Sequence, residues 1–143
     1  MISLVCPTTS TETLVANDRG PMSTILVVDD VDTNREILAR VLRREGYHTA
    51  YACNGAEALD AIRAEQPDLI LLDLMMPEMD GVTFLRLFRE DPRNRDLPVI
   101  LVTALSDGNQ LTEARKFGVV GCLTKGRASL SDVLSTVREH LRQ

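Results

Sequence analysis

The feature that most restricts the fold of this chain is an alternation of short, wholly apolar runs with stretches of helical periodicity. Three runs of four apolar residues stand out, at 25–28, 69–72 and 99–102. Such uninterrupted runs are typical of parallel strands that are buried on both faces. Two weaker strand candidates, at 47–52 and 119–124, fit the edges of a sheet. The pattern therefore predicts five strands in a parallel sheet.

The segments between these runs carry apolar residues at the spacing of one helix face. The first such stripe consists of Ile37, Leu38, Val41 and Leu42. Gly46 and Gly118 stand where the C-caps of two helices are expected. Alternating strands and helices require right-handed crossovers, with helices on both faces of the sheet. We therefore expect a doubly wound α/β domain of about 120 residues.

The start of the chain differs from the rest. Residues 1–21 are rich in Ser and Thr and have no apolar periodicity, so we predict a disordered N-terminal extension, followed by one folded domain at 22–143. Met22 is a plausible alternative start. No apolar stretch approaches the roughly 20 residues of a membrane helix, and no secretory leader is evident. We expect a cytoplasmic protein without membrane contact.

The charge pattern restricts the partners. The 21 acidic and 16 basic residues are mixed along the chain and give a formal charge of -5. No basic run accompanies aromatic residues, which disfavours direct nucleic-acid binding. A mixed acidic surface of this kind suits protein partners and a cation.

Polar and charged residues follow four of the predicted strands. Asp29 and Asp30 come after the first strand, Asp73 after the third, Thr103 at the end of the fourth and Lys125 after the fifth. Ligands of open parallel sheets bind at the carboxyl ends of the strands. These side chains would meet at one edge if the first, third, fourth and fifth strands are neighbours.

This combination of side chains indicates phosphoryl chemistry. Clustered carboxylates repel one another unless a cation neutralises them, and an all-oxygen site suits Mg²⁺. A carboxylate can attack a phosphoryl group and form an acyl phosphate, while an ammonium and a hydroxyl hold the other oxygens. Asp73 is the natural nucleophile because it lies between the other acids and the Thr103 and Lys125 side chains. We do not assign Asp32 to this site, since any residue of the segment from Asp32 to Asn34 could simply cap the first helix.

Residues 24–142 closely resemble the receiver domains of bacterial response regulators. The segments that carry the resemblance are Ile25 to Asp30, Asp68 to Gly81, Val102 to Ala104 and Leu123 to Lys125. The resemblance implies a flavodoxin-like (βα)₅ three-layer sandwich with strand order 2-1-3-4-5. It also implies two-component signalling, in which Asp73 accepts a phosphoryl group from a phosphohistidine on a sensor histidine kinase or a histidine phosphotransfer protein. Such a domain is not an enzyme for external substrates, and its output is a protein–protein interaction.

The resemblance also implies a set of metal ligands. Asp30 and Asp73 would bind Mg²⁺ directly, Asp29 would act mainly through a bound water, and the backbone carbonyl of Met75 would be a further ligand. Thr103 and Lys125 would bind the phosphoryl oxygens.

Two other matched residues concern the backbone. Pro77 and Gly81 correspond to the turn that leads into the third helix in the family.

Two positions depart from the family pattern. The family usually has a cis proline directly after the lysine, but this chain has Gly126, for which a cis bond would cost about 3 kcal/mol. We therefore expect a trans bond and a reshaped loop. The family also tends to have Tyr or Phe three residues before the lysine, where this chain has Cys122, which we interpret as a small apolar filler. Residues 118–121 lack the acids through which some DNA-binding members dimerise.

Three other functions are compatible with parts of the sequence. A receiver-like adaptor that binds partners regardless of phosphorylation is compatible with Cys122 and Gly126, although all the acids, Thr103 and Lys125 are retained. A phosphohydrolase of the haloacid dehalogenase type requires a DxDx(T/V) loop, and the segment from Asp30 ends in Asn34 instead. A flavodoxin-like cofactor binder is disfavoured because acids after the first strand repel phosphate, and there is no GxxxxGK[ST] loop.

Overall fold

The computed structural model describes residues 23–76, 78–104 and 108–141. The predicted extension at 1–21, the alternative start Met22 and the turn residue Pro77 lie outside these ranges. The strands are β1 (Thr24–Val28), β2 (His48–Ala52), β3 (Leu69–Leu72), β4 (Val99–Thr103) and β5 (Gly121–Thr124). The helices are α1 (Asp32–Arg44), α2 (Gly55–Ala64), α3 (Gly81–Arg89), α4 (Gly108–Arg115) and α5 (Leu130–Leu141), with a 3₁₀ turn at Pro92–Asn94.

The five strands form one parallel sheet in the order β2-β1-β3-β4-β5, which confirms the predicted fold. The ends of the central strands are in register, since Val28 pairs with Leu72 and Leu72 pairs with Leu101. Thr103 pairs with Thr124 at the end of β5. The four strands that carry the predicted site residues are therefore consecutive neighbours in the sheet.

Alternate side chains of each strand enter two different cores. Leu26, Val28 and Leu72 pack on the side of α2, α3 and α4, where Phe84 and Phe88 are fully buried. The side of α1 and α5 receives the intervening strand residues, which are Ile25, Val27, Leu69, Leu71, Ile100 and Val102. Strands that are apolar on both faces thus produce three layers. No helix in the described part of the chain is long and apolar enough to cross a membrane.

Helix α1 corrects two of the predictions. Leu38 and Leu42 are buried as expected, but Ile37 is 46% exposed, because the buried face of the helix consists of Arg35, Leu38, Ala39 and Leu42, and Ile37 lies at the margin of that face. No residue of the segment from Asp32 to Asn34 is the N-cap, because all three lie within the helix. The N-cap is Val31, which provides no side-chain hydrogen bond, and Asp32 is the first helical residue.

Glycine is required at three positions next to helices. Gly46 and Gly118 follow α1 and α4 with φ of 97° and 80°, which confirms them as helix-terminating residues. Gly81 begins α3 so close to the loop after β3 that a Cβ atom would lie 2.7 Å from the Leu74 Cα.

Arg89, at the end of α3, links two loops at the edge of the sheet opposite the site residues. Its guanidinium lies over the Phe88 ring, 5.0 Å from the centroid. It donates hydrogen bonds of 2.6 to 3.3 Å to the backbone carbonyls of Asn94, Arg95, Leu97, Phe117 and Gly118. Burial lowers the pKa of Arg89 below its ordinary value, although Asp96 opposes this change.

Candidate functional site

Three carboxylates converge where β1 and β3 end. Asp29 and Asp73 each follow the last residue of a paired strand, and only 2% and 5% of their surfaces are exposed. Asp30 is exposed. One oxygen from each of the three carboxylates lies within 4.8 Å of the other two. Asp30 also borders an open cleft of about 390 Å³, which gives this group access to solvent.

The Asp73 carboxylate is held by two donors. Its Oδ1 accepts a hydrogen bond of 3.1 Å from the backbone N–H of Met75, so the loop after β3 turns around the carboxylate. Its Oδ2 accepts one of 2.9 Å from the Lys125 ammonium. The Asp73 N–H continues the ladder by donating to the Val28 carbonyl, at 3.0 Å. The sheet therefore fixes the backbone of Asp73, and the two contacts orient its side chain.

Lys125 joins two of the carboxylates. Its Nζ lies 2.7 Å from Asp29 Oδ2 and 2.9 Å from Asp73 Oδ2. Burial lowers the pKa of Lys125, but the hydrogen bonds and negative charges of Asp29 and Asp73 outweigh burial, so the pKa lies above its ordinary value of 10.5. The ammonium is therefore charged at neutral pH, and it offsets part of the repulsion between the two acids.

Asp29 is held through both its side chain and its main chain. Its Oδ1 accepts a hydrogen bond of 2.9 Å from the Val31 N–H. Its backbone carbonyl accepts one of 2.8 Å from Nη1 of Arg35, a residue of α1 that is 4% exposed. Sequence reasoning missed Arg35. The available signal was its spacing of three and seven residues from Leu38 and Leu42, which places a charged residue on the buried stripe of α1.

Thr103 closes the site from the neighbouring strand. It is 1% exposed at the end of β4, and its carbonyl accepts a hydrogen bond of 2.9 Å from the Lys125 N–H. The ends of β4 and β5 are thus bonded through the main chain. Met75, in the loop after β3, is 54% exposed. The roles predicted for the Thr103 hydroxyl and the Met75 carbonyl stay predictions.

Gly126 gives the loop after β5 a different turn. The described residues contain no cis peptide bond, so the predicted trans bond between Lys125 and Gly126 is confirmed. Gly126 has φ of 90°, and the Thr124 carbonyl accepts hydrogen bonds from the N–H groups of Arg127 and Ala128, at 3.0 and 2.9 Å. This is a tight turn with glycine at its third position, where positive φ is required.

Cys122 is a free thiol, partly buried in the middle of β5. It pairs in register with Leu101 and packs against the core on the side of α3 and α4. Both observations agree with its interpretation as an apolar filler.

The carboxylate group fits a hard divalent cation. All three predicted side-chain ligands offer oxygen, as Mg²⁺ prefers. Mg–O bonds of about 2.1 Å place neighbouring ligands of an octahedron about 3 Å apart and opposite ligands about 4.2 Å apart. One oxygen from each of the three carboxylates lies within 4.8 Å of the other two, so a shared ion would draw them closer together.

Comparisons with known proteins agree with this geometry. The sequence model of the response regulator receiver domain matches residues 25–138. Response regulator PleD of Caulobacter vibrioides is 42% identical over 101 residues, which cover 71% of this chain but only 22% of PleD. The chain thus spans about a fifth of that relative. Sporulation initiation phosphotransferase F of Bacillus subtilis is 34% identical over 117 residues, which cover 82% of this chain and 92% of that protein. The solved structure of chemotaxis protein CheY4 of Vibrio cholerae superimposes with a TM-score of 0.79 and 27% identity, covering 85% of this chain and 100% of CheY4.

Proposed function

Since the chain belongs to the response regulator receiver domain family, we propose that it accepts a phosphoryl group on Asp73 from the phosphohistidine of a sensor kinase or phosphotransfer protein. One observation carries the proposal. The buried Asp73 carboxylate lies 2.9 Å from the Lys125 ammonium, and one oxygen of each of two further carboxylates lies within 4.8 Å of it. Formation of an acyl phosphate requires a cation site and an ammonium close to the reacting carboxylate, and Asp73 has both groups of residues beside it.

The reaction is a transfer between two side chains. An oxygen of Asp73 attacks the phosphorus, the bond from phosphorus to the histidine nitrogen breaks, and its electron pair leaves with the imidazole. The product is an acyl phosphate on Asp73. Lys125, already within 2.9 Å of Asp73, stabilises the negative charge of the transferred group, and Thr103 donates its hydroxyl to another phosphoryl oxygen.

The cation site belongs to the same proposal. Asp30, Asp73 and the Met75 carbonyl hold Mg²⁺, and Asp29 contributes mainly through a bound water. When bound, Mg²⁺ supplies positive charge that offsets the carboxylates and the phosphoryl oxygens. We also propose that the chain hydrolyses its own acyl phosphate and acts on no external substrate.

We place the protein in the cytoplasm, acting through a phosphorylation-controlled contact with another protein and without direct binding to nucleic acid or membrane. The mixed surface charge, with a net value of -5, supports this assignment.

The test is chemical phosphorylation. The protein is incubated with Mg²⁺ and acetyl phosphate, and its intact mass is measured, beside Asp73→Ala and the exposed control Asp60→Ala. We expect one phosphoryl group on the wild type and on the control, and none on Asp73→Ala. An unmodified wild type, or an adduct that persists in Asp73→Ala, would sink the proposal.

One observation favours a second candidate, an adaptor that binds its partners regardless of phosphorylation. Cys122 replaces the aromatic ring that the family moves during activation, and its side chain is too small to fill the same space. Amide hydrogen exchange with and without beryllofluoride, an acyl phosphate mimic, separates the two. If the mimic binds and the exchange of α4 and β5 stays unchanged, the adaptor is the better description.

A further inference from the structure

We propose that Arg35 is a positioning residue for the cation site, because its hydrogen bond to the Asp29 carbonyl keeps Asp29 and Asp30 turned toward the same ion. The inference rests on the proposed function in one respect, since it takes Mg²⁺ to bind at the three carboxylates. It adds a residue from α1 that makes no direct contact with the ion.

The need for such a residue follows from strand geometry. Consecutive side chains of an extended strand point to opposite faces of a sheet. Asp29 and Asp30 are consecutive, yet an oxygen of each lies within 4.8 Å of the other and of Asp73. The chain must therefore turn at the peptide that joins Asp29 to Asp30. The carbonyl of that peptide is the group to which Arg35 Nη1 donates, at 2.8 Å.

The guanidinium is itself firmly held. Its Nη2 pairs with Asp32, whose side chain is 79% exposed, while the Arg35 side chain is only 5% exposed. Burying a charged group is costly unless it gains hydrogen bonds, and an apolar residue would pack equally well on this stripe of α1. Arginine differs from such a residue in two contacts, the pair with Asp32 and the bond to the Asp29 carbonyl, and only the second reaches a predicted site residue. Polar partners that orient metal ligands typically change metal affinity 10- to 100-fold when they are removed.

The positioning effect and the charge of Arg35 have opposite effects on Mg²⁺ affinity, so a substitution of Arg35 can distinguish them. Arg35 is a positive charge close to a cation site, so by electrostatics alone its removal strengthens Mg²⁺ binding. If Arg35 instead orients the Asp29–Asp30 peptide, its removal weakens binding although a positive charge has been lost. A purely structural residue of α1 would change stability and leave the Mg²⁺ affinity as it was.

The experiment is calorimetric titration of folded protein with Mg²⁺ alone, for the wild type, Arg35→Met, Arg35→Lys and the control Arg40→Met. Arg40 lies on the same helix and is exposed, so its substitution removes the same charge outside the buried stripe. We expect the Mg²⁺ dissociation constant of Arg35→Met to rise about 10-fold. That of Arg35→Lys, which keeps the charge and one donor, rises less, and that of Arg40→Met stays within about twofold of the wild type.

Each outcome decides the matter. An unchanged or tighter dissociation constant in Arg35→Met overturns the inference. If Arg35→Met does not fold, Arg35→Lys decides, because weaker binding at unchanged charge supports positioning and equal binding refutes it. A wild type that binds no Mg²⁺ would instead refute the proposed cation site, which separates the failure of the proposed function from the failure of this inference.

Discussion

Lys125→Met provides the most direct test of the electrostatics of the site. The substitution keeps the length of the side chain and removes an ammonium that lies 2.7 and 2.9 Å from two carboxylates. The side chains of Asp29 and Asp73 are only 3% and 6% exposed, so water cannot screen them well. Two unit charges 4.8 Å apart repel by about 3.5 kcal/mol at an effective dielectric constant of about 20.

This repulsion sets the expected loss of stability. Removing one partner of a buried ion pair typically costs about 3–5 kcal/mol. The Lys125 side chain is 23% exposed, so water recovers part of that cost. We expect the free energy of unfolding to fall by about 2–4 kcal/mol in Mg²⁺-free buffer. At the proposed cation site, saturating Mg²⁺ would neutralise the same carboxylates, so we expect it to stabilise Lys125→Met more than it stabilises the wild type.

The assay is urea unfolding followed by far-UV circular dichroism, with and without Mg²⁺. Lys116→Met is the matched control, because Lys116 pairs with Glu113 at 3.2 Å on the surface, with both side chains more than half exposed. Such a pair contributes less than about 1 kcal/mol. The reasoning is refuted if Lys125→Met costs no more than this control, or if Mg²⁺ stabilises Lys125→Met and the wild type equally.

Three further predictions concern the rest of the fold. Arg89→Met removes hydrogen bonds to five carbonyls and should lower the free energy of unfolding by about 3 kcal/mol. The exposed control Arg86→Met should change it by less than about 0.5 kcal/mol. Equal urea midpoints for the two variants would contradict this prediction. Gly126→Pro restores the family residue, but proline cannot adopt the φ of 90° that Gly126 has. We therefore expect the variant to unfold at a lower temperature than the wild type. Unfolding at a higher temperature would refute the turn described above. Burial raises the pKa of Tyr47 above 10.0, so stability should fall as pH rises through about 10, and urea titrations of Tyr47→Phe should show a smaller fall.

Much of the fold was predictable because it depends on local patterns. Four-residue apolar runs can satisfy both faces of a strand only in a buried parallel sheet, and the resemblance implied the strand order. The convergence of Asp29, Asp73 and Lys125 then follows from parallel register, because equivalent strand ends meet at one edge. These residues were accessible from the sequence because each follows an apolar run directly.

Other features depend on three-dimensional contacts that spacing does not encode. The apolar spacing on α1 predicted that Ile37 is buried together with Leu38 and Leu42. Ile37 is exposed because of the angle at which the helix meets the sheet, which the sequence spacing does not give. The contact between Lys125 and Asp29 joins residues 96 positions apart, and the resemblance assigned this lysine to phosphoryl oxygens alone. Arg35 was missed because arginine on a helix is usually solvated, and its partner is a backbone carbonyl, which leaves no trace in the sequence.

The two departures from the family affect acceptance and output differently. By strand alternation Thr103 shares a face with Leu101, and Cys122, in register with Leu101, lies on that same face beside α4. In the proposed function, a shift of Thr103 toward the phosphoryl group would meet no aromatic ring at position 122. The Thr103 carbonyl accepts a hydrogen bond from the Lys125 N–H, so we expect the end of β5 and the turn at Gly126 to respond first. Since none of the contacts to Asp73 involves Cys122, we expect Cys122→Tyr to leave phosphorylation by acetyl phosphate intact and to change only the hydrogen exchange of α4 and β5.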